Sequence, residues 1–203
     1  MGSVPTRERL LIKALELFAL KGFEAVSVRE ITRSLNLNEA TLYIHFKNKS
    51  DLLDKIIERF EQKLISPGFA RPEPPDIDQQ DSRPLSEILV AGAQIFFTRA
   101  DKEILLTWRM LMVSQYRHEA AKKSLISLVL DPPIMYFTAM LDALQKKGKL
   151  RPDVDCHSAG RIIASIFFQF SFRSNLLGAW NEPFDVLTDE LNTDLRLFAK
   201  TLS

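Results

Sequence analysis

Ser27-Val28-Arg29-Glu30-Ile31-Thr32-Arg33-Ser34-Leu35-Asn36-Leu37-Asn38-Glu39-Ala40-Thr41-Leu42-Tyr43-Ile44-His45-Phe46 contains two helix starts in quick succession. Ser27 and Glu30 have the spacing of a capping box, in which hydroxyl and carboxylate each satisfy an orphan amide. Val28, Ile31 and Leu35 then fall on one helical face. Asn36 follows, and asparagine is the side chain that best tolerates a left-handed turn after glycine. Asn38 caps a second short helix reaching about His45 or Phe46. The stretch therefore predicts two short helices joined by a tight turn.

Such a pair has a physical use. One helix braces against a sugar-phosphate backbone while the next enters the major groove, which at about 12 Å wide admits a single helix. The second helix must then point small or hydrogen-bonding groups outward. Glu39, Ala40, Thr41, Tyr43 and His45 are available for that, while Leu37, Leu42 and Phe46 anchor inward. Arg29, Arg33, Lys47 and Lys49 flank the helix, with Glu30 and Glu39 in opposition. Helix starts at Ser27, Asn38 and Lys49 add amides that favour phosphate. Residues 1–63 carry only +2, from 11 Lys+Arg against 9 Asp+Glu. Periodicity and charge fit both a DNA-reading pair and a plain helical hairpin.

Upstream, Leu10, Leu11, Ala14, Leu15 and Phe18 recur at helical spacing between Thr6, a candidate cap, and Lys21-Gly22-Phe23, a stop signal. Downstream, Asn48 opens a helix from Lys49 to about Ile65, with Leu52, Leu53, Ile56, Ile57, Phe60 and Leu64 along one side. Residues 66–82 hold Pro67, Pro72, Pro74 and Pro75 with little to bury, and read as a linker. Beyond Pro84 every long segment reads helical. Asp131-Pro132-Pro133 predicts a break or kink, Lys146-Lys147-Gly148 a stop, and Asp155 a cap for the helix Cys156 to Trp180. No alternating strand pattern appears. The expected fold is all-α with about nine helices: residues 1–48 a helix-turn-helix domain, 49–65 a connecting helix, 66–83 a linker loop, and 84–203 a larger helical domain.

Composition narrows the function. With 203 residues, 46% hydrophobic and net charge +1, the chain has enough apolar content for a core and is not globally disordered. A single cysteine excludes a disulfide framework and a cysteine-rich zinc site. Absence of a signal peptide, and of any uninterrupted apolar run near the roughly 20 residues of a span, points to a cytoplasmic protein. The opening Met1-Gly2-Ser3-Val4-Pro5-Thr6 matches a myristoylation pattern only loosely and reads as coincidence. No nucleotide loop, hydrolase elbow or metal-ligand spacing occurs, and His45, His118 and His157 are far apart. The expectation is no enzyme, no cofactor and no metal. Cys156, at a helix start, is either a plain first-turn residue or a thiol of lowered pKa open to oxidants.

Residues 6–53 carry a family resemblance. Ala14-Leu15-Glu16-Leu17-Phe18 with Lys21-Gly22-Phe23, Ser27-Val28-Arg29-Glu30-Ile31, Ala40-Thr41-Leu42-Tyr43 and His45-Phe46-Lys47-Asn48-Lys49 stand in the order and spacing of the DNA-binding domain of the TetR (tetracycline-repressor) family of bacterial transcriptional regulators. The rest resembles the family in being helical, of suitable length, and in Gly148-Lys149-Leu150-Arg151-Pro152-Asp153 before a long apolar helix. Asn36 stands where the family favours glycine, and Ala40 replaces a frequent glycine.

The resemblance implies DNA contacts from Ser27, Arg29, Asn38, Glu39, Thr41, Tyr43, His45, Lys47 and Lys49. Ser27 and Arg29 would touch phosphates or the groove edge, and Asn38 would cap the reading helix. Thr41 and Tyr43 would contact DNA, and His45 and Lys49 would bind phosphate. Glu39 would accept from a cytosine amino group. Ser27 can equally be a cap alone, and Tyr43 can pack partly on the core.

The helix Cys156 to Trp180 is apolar all round, which demands burial on several sides. The resemblance assigns such terminal helices to a homodimer seam, here Ile163, Ile166, Phe170, Leu177, Leu187, Leu191, Leu195 and Phe198. It also implies a small-molecule pocket, with Phe96, Phe97, Trp108, Met112, Tyr116, Phe137, Met140 and Phe168 as candidate lining beside Met110 and Tyr136. Ordinary core is the competing reading of those ten. Few acids lie among the lining helices, so a neutral or anionic lipophilic effector fits best. The whole reads as a ligand-responsive regulator, a repressor in sign, that binds a palindromic operator as a homodimer and releases it on binding effector. A helical hydrophobe-binding protein without operator binding is the alternative.

Overall fold

The computed structural model describes residues 4–65, 82–98, 101–179 and 185–202. Among these the secondary structure is entirely helical: α1 Thr6–Lys21, α2 Val28–Arg33, α3 Glu39–His45, α4 Lys49–Ile65, α5 Leu85–Thr98, α6 Lys102–Ser114, α7 Glu119–Ser124, α8 Asp131–Lys146, α9 Cys156–Ala179 and α10 Asp185–Leu202. A π-helical segment, Leu125–Leu130, joins α7 to α8. Counting that rod once gives nine helices among the described residues. The proline-rich stretch 66–81 lies outside them.

The chain divides into two compact units, Met1–Ser66 with Asp101–Val129, and Pro67–Ala100 with Leu130–Ser203. The first unit thus takes in α6 and α7, which the sequence boundaries grouped with the C-terminal domain.

In the first unit α1 packs against α2, α4 and α6. It does so through Leu10, Leu11, Ala14, Leu15, Phe18 and Ala19, all buried. Thr6 does not cap this helix. Pro5 holds the capping position with no side-chain bond, and Thr6 is already the first helical residue. Gly22 ends it at φ 80°, and a Cβ there would stand 3.2 Å from Val113 Cγ1 on α6. Arg59 on α4 ties this packing together: its Nη1 donates to Glu8 Oε2 of α1 at 2.6 Å and its Nη2 to Glu103 Oε2 of α6 at 3.1 Å. Those carboxylates, Glu103 foremost, raise the guanidinium pKa still further above its ordinary value.

In the second unit α8 packs on α9, and α10 on α5 and α9. Ile88, Leu89, Ala93, Phe137, Met140, Leu141, Leu144, Ile163 and Leu195 form its driest part. α8 and α9 approach closely at Gly160, where a Cβ would meet the Thr138 backbone nitrogen at 2.8 Å.

The prolines do not break the α7–α8 rod as expected. Leu130 keeps helical angles (φ −88°, ψ −46°), and Pro132 and Pro133 sit in the first turn of α8. A proline ring collides with the carbonyl four residues earlier in a regular α-helix. The wider turn of the π segment relieves that crowding. The resulting continuous helix, Glu119–Lys146, is long and apolar enough to cross a membrane by length and composition, with a mean hydropathy of 1.5 over its best window. Asp131 and Asp142 interrupt its apolar run, so the sequence holds no unbroken apolar stretch of that length. Buried core helices meet the same criterion.

Candidate nucleic-acid interface

Local chemistry fixes α2 and α3. Ser27 Oγ accepts from the Glu30 amide at 3.1 Å. The Glu30 carboxylate does not return the bond but takes Lys21 Nζ at 2.5 Å, so only half of the capping box forms. Asn36 adopts φ 57°, the one non-glycine residue at positive φ among those described. Asn38 Oδ1 accepts from both the Thr41 amide at 2.9 Å and the Thr41 hydroxyl at 2.8 Å, locking the first turn of α3. Each such cap contributes about 1 kcal/mol. Asn48 and Asp51 then fix the start of α4: the Asp51 amide donates to Asn48 Oδ1 at 2.8 Å, and Asp51 Oδ2 accepts from the Lys47 amide at 2.8 Å.

Within α3 only Leu42 is buried. At 100° per residue, Ala40, Tyr43 and Ile44 lie on the side opposite Leu42, and all three are exposed, as are Glu39 and the following Lys47. Ile44, at 78% exposure, is the most open large apolar side chain on this helix. The sequence reading passed over it. Projecting the helix from its single buried residue would have found it, since Ile44 stands about 160° from Leu42.

The cations divide into two groups. Arg29, Arg33 and Lys47 are exposed with no carboxylate partner among the described residues, ready to meet an anion. Lys49 is different: its ammonium donates to the Phe23 and Val26 carbonyls, each at 2.9 Å, and lies 4.1 Å from the Phe23 ring centroid. Two of its three N–H donors are thus held by the loop between α1 and α2, which ties Lys49 into the domain. His45 is half-buried beside Phe46, with ring centroids 6.4 Å apart. Ser27 is exposed while acting as a cap, and its hydroxyl can still donate outward.

The expected pocket residues fall into two groups. Trp108, Met110 and Met112 belong to α6 of the first unit, and Tyr116 beyond it is 89% exposed, so it lines no enclosed space in this chain. Phe137 and Met140 are fully buried in the second unit. Phe96 meets Tyr136 edge-on at 5.2 Å and Phe167 at 4.9 Å, and Phe168 stacks on Phe172 at 6.3 Å. The side chain of Phe97 lies outside the described residues.

The residues expected at the dimer seam lie at different depths in the protomer. Ile163, Phe170, Leu187, Leu191 and Leu195 are buried within the protomer, and Ile166, Leu177 and Phe198 pack against that core. The first five have little surface left for a second copy, whereas Ile166, Leu177 and Phe198 are only partly buried. The apolar residues left outward are Ile162, Phe172 and Leu176 on α9 and Val186 and Leu197 on α10, from 38% to 70% exposed.

Cys156 is buried as the first residue of α9, its Sγ 3.6 Å from Gln145 Oε1. Burial, then Asp142, pushes the thiol up to about 11, opposite to the lowering that oxidant sensing needs. At pH 8 only about one molecule in a thousand would be thiolate. Native protein is therefore expected to resist iodoacetamide at pH 8 for hours and react within minutes once unfolded. Rapid native alkylation, followed by mass spectrometry, would show the thiol to be accessible and ionised after all.

Residues 10–56 match the model described as bacterial regulatory proteins, tetR family. The chain is 36% identical over 175 residues to the uncharacterized HTH-type transcriptional regulator YvkB of Bacillus subtilis, covering 85% of each. It is 22% identical over 166 residues to the HTH-type transcriptional repressor BepR of Brucella suis, covering 79% of this chain and 76% of that one. Salmonella enterica GusR superposes with a TM-score of 0.60 at 26% identity over 98% of both chains. With that model over residues 10–56 and a relative of this identity across most of its length, the chain belongs to the tetR family of helix-turn-helix transcriptional regulators.

Proposed function

We propose that the protein is a homodimeric repressor that holds a palindromic operator and lets go when a small lipophilic effector binds. The observation carrying this is the outward side of α3, where Glu39, Ala40, Tyr43, Ile44 and Lys47 are all exposed, beside Arg29 and Arg33. Glu39 reads a cytosine amino group, Tyr43 and Thr41 contact the duplex, and Ser27, Arg29, Lys47 and the half-buried His45 meet backbone phosphate. Asn38 acts by orienting the helix. The repressive sign rests on the likeness to BepR, which bears that name. Action on the chromosome places the protein in the cytoplasm.

Two copies join through the outward apolar side of α9 and α10. A C2 pair presents the same patch from each copy and sets two α3 helices about one turn of DNA apart, or a multiple of it. Leu197→Glu, on a side chain 64% exposed in the protomer, tests this. It should halve the mass in sedimentation and weaken operator binding at least about a hundredfold, since half-sites then bind singly. An unchanged mass with full binding would place the seam elsewhere.

The effector site uses the aromatic interior of the second unit, around Phe96, Tyr136, Phe137 and Phe167. An isolated cation would lack a buried counter-charge there, so the effector class is neutral or anionic. Calorimetry against acyl and aromatic acids and against cationic dyes separates the classes, and tight binding of dyes alone would reverse the assignment.

Selection from a library of random duplexes tests the function itself. The expected outcome is an inverted repeat whose affinity falls linearly in log–log with salt, and falls again when the effector is added. Enrichment of no sequence, with only salt-insensitive or no retardation, would leave the protein without an operator.

A further inference from the structure

We infer that Ile44 is a specificity-determining residue that reads the C5-methyl group of a thymine in each operator half-site; this rests on the proposal that α3 enters the major groove. Ile44 lies in the last turn of α3, one turn after Ala40 and next to Tyr43, at 78% exposure. It cannot serve the protomer's core, because the inward side of α3 is held by Leu42, fully buried, with Phe46 at 2% exposure just beyond. Nor can it serve phosphate, because its side chain has no donor. Along the major-groove edges of the four base pairs the thymine methyl is the apolar feature, every other distinguishing group being a hydrogen-bond donor or acceptor. A branched apolar side chain on the outward side of this helix is therefore matched by thymine alone. Neighbouring chemistry fits the same geometry. Ala40, one turn earlier, leaves room for close approach, while Arg33 and Lys47 provide exposed charge to hold the helix against the backbone.

Deoxyuridine differs from thymidine only by that methyl, so it isolates the contact. Each thymine of the selected operator is replaced in turn, symmetrically in both half-sites, and affinity is measured for wild type and Ile44→Ala. Burying one methyl-sized group per half-site corresponds to roughly a fourfold change, or about 15-fold for the symmetric pair. Wild type should lose about that much at one thymine position and nothing at the others. Ile44→Ala should bind the unmodified operator about equally weakly and should be indifferent to deoxyuridine at that position. Its melting temperature should stay within about 1 °C of wild type, because the side chain is solvent-exposed. The inference is overturned if no thymine recurs in the half-site, if every replacement is neutral for wild type, or if Ile44→Ala keeps the full deoxyuridine penalty. A loss on Ile44→Ala that is equal on operator and unrelated duplex would also overturn it, assigning the side chain to deoxyribose packing. Failure of wild type to bind any duplex is a different result: it removes the operator reading and this inference together.

Discussion

Gly160→Ala should lower the stability of the second unit by about 2 kcal/mol or more, although alanine is the better helix former. In an exposed helix interior the substitution gains close to 1 kcal/mol. Here the new Cβ would stand 2.5 Å from Thr138 Oγ1, 2.8 Å from the Thr138 nitrogen and 3.0 Å from its Cα. A hydroxyl can rotate away, but two of those atoms are backbone, so α8 and α9 must separate. Overpacking of this kind costs roughly 1–3 kcal/mol, and separating the helices also loosens Phe137, Met140 and Ile163 between them. For a chain of this size the fall in melting temperature should be roughly 5–10 °C. Gly178 in the same helix is the matched control, because a Cβ there meets nothing within 4 Å. Gly178→Ala should cost nothing or gain slightly. Equal stability of the two variants would show that the α8–α9 approach is looser than described.

Lys49→Met should damage the DNA-binding unit without changing how many phosphates it neutralises. Methionine keeps an apolar stem beside Phe23 but leaves the Phe23 and Val26 carbonyls without their ammonium donor. Charge-assisted bonds contribute about 1.5–3 kcal/mol each, and the part-exposed setting lets water replace some of that. The expected loss is about 2 kcal/mol in urea unfolding. Operator affinity should drop about tenfold, because the freed loop leads directly into Ser27 and α2. The slope of log affinity against log salt should stay as in wild type, whereas Lys47→Met, at an exposed cation, should reduce it by about one. Unchanged stability with a shallower slope for Lys49→Met would restore the phosphate contact that the family resemblance implies.

The difference between those two lysines shows where the sequence stopped being legible. Spacing alone marked the caps at Ser27, Asn38, Asn48 and Asp155, since capping depends on side chains within three residues of one another. Asp155 Oδ1 indeed accepts from the Ser158 amide at 3.2 Å. Whether a lysine is free or occupied depends on carbonyls more than twenty residues away, and no local pattern reports that. The same holds for α9. Its all-round apolarity correctly required burial on several sides, yet which residues face α8 and which face outward is set by where the chain returns. Ile163 went inward and Ile162 outward, one residue apart. Gly160 likewise gave no local signal, because the atoms that exclude a Cβ there belong to Thr138 on another helix.

A covalent map of α3 on DNA tests the central claim most directly. Tyr43, 54% exposed on the outward side of α3, is replaced by a photoreactive benzoylphenylalanine. The protein is irradiated on its selected operator, and the adduct is located by primer extension. The account predicts one crosslink per half-site, at a base in the major groove, lost when unlabelled operator competes. Retained, operator-dependent binding without any base adduct at that site would mean that another surface reads the duplex.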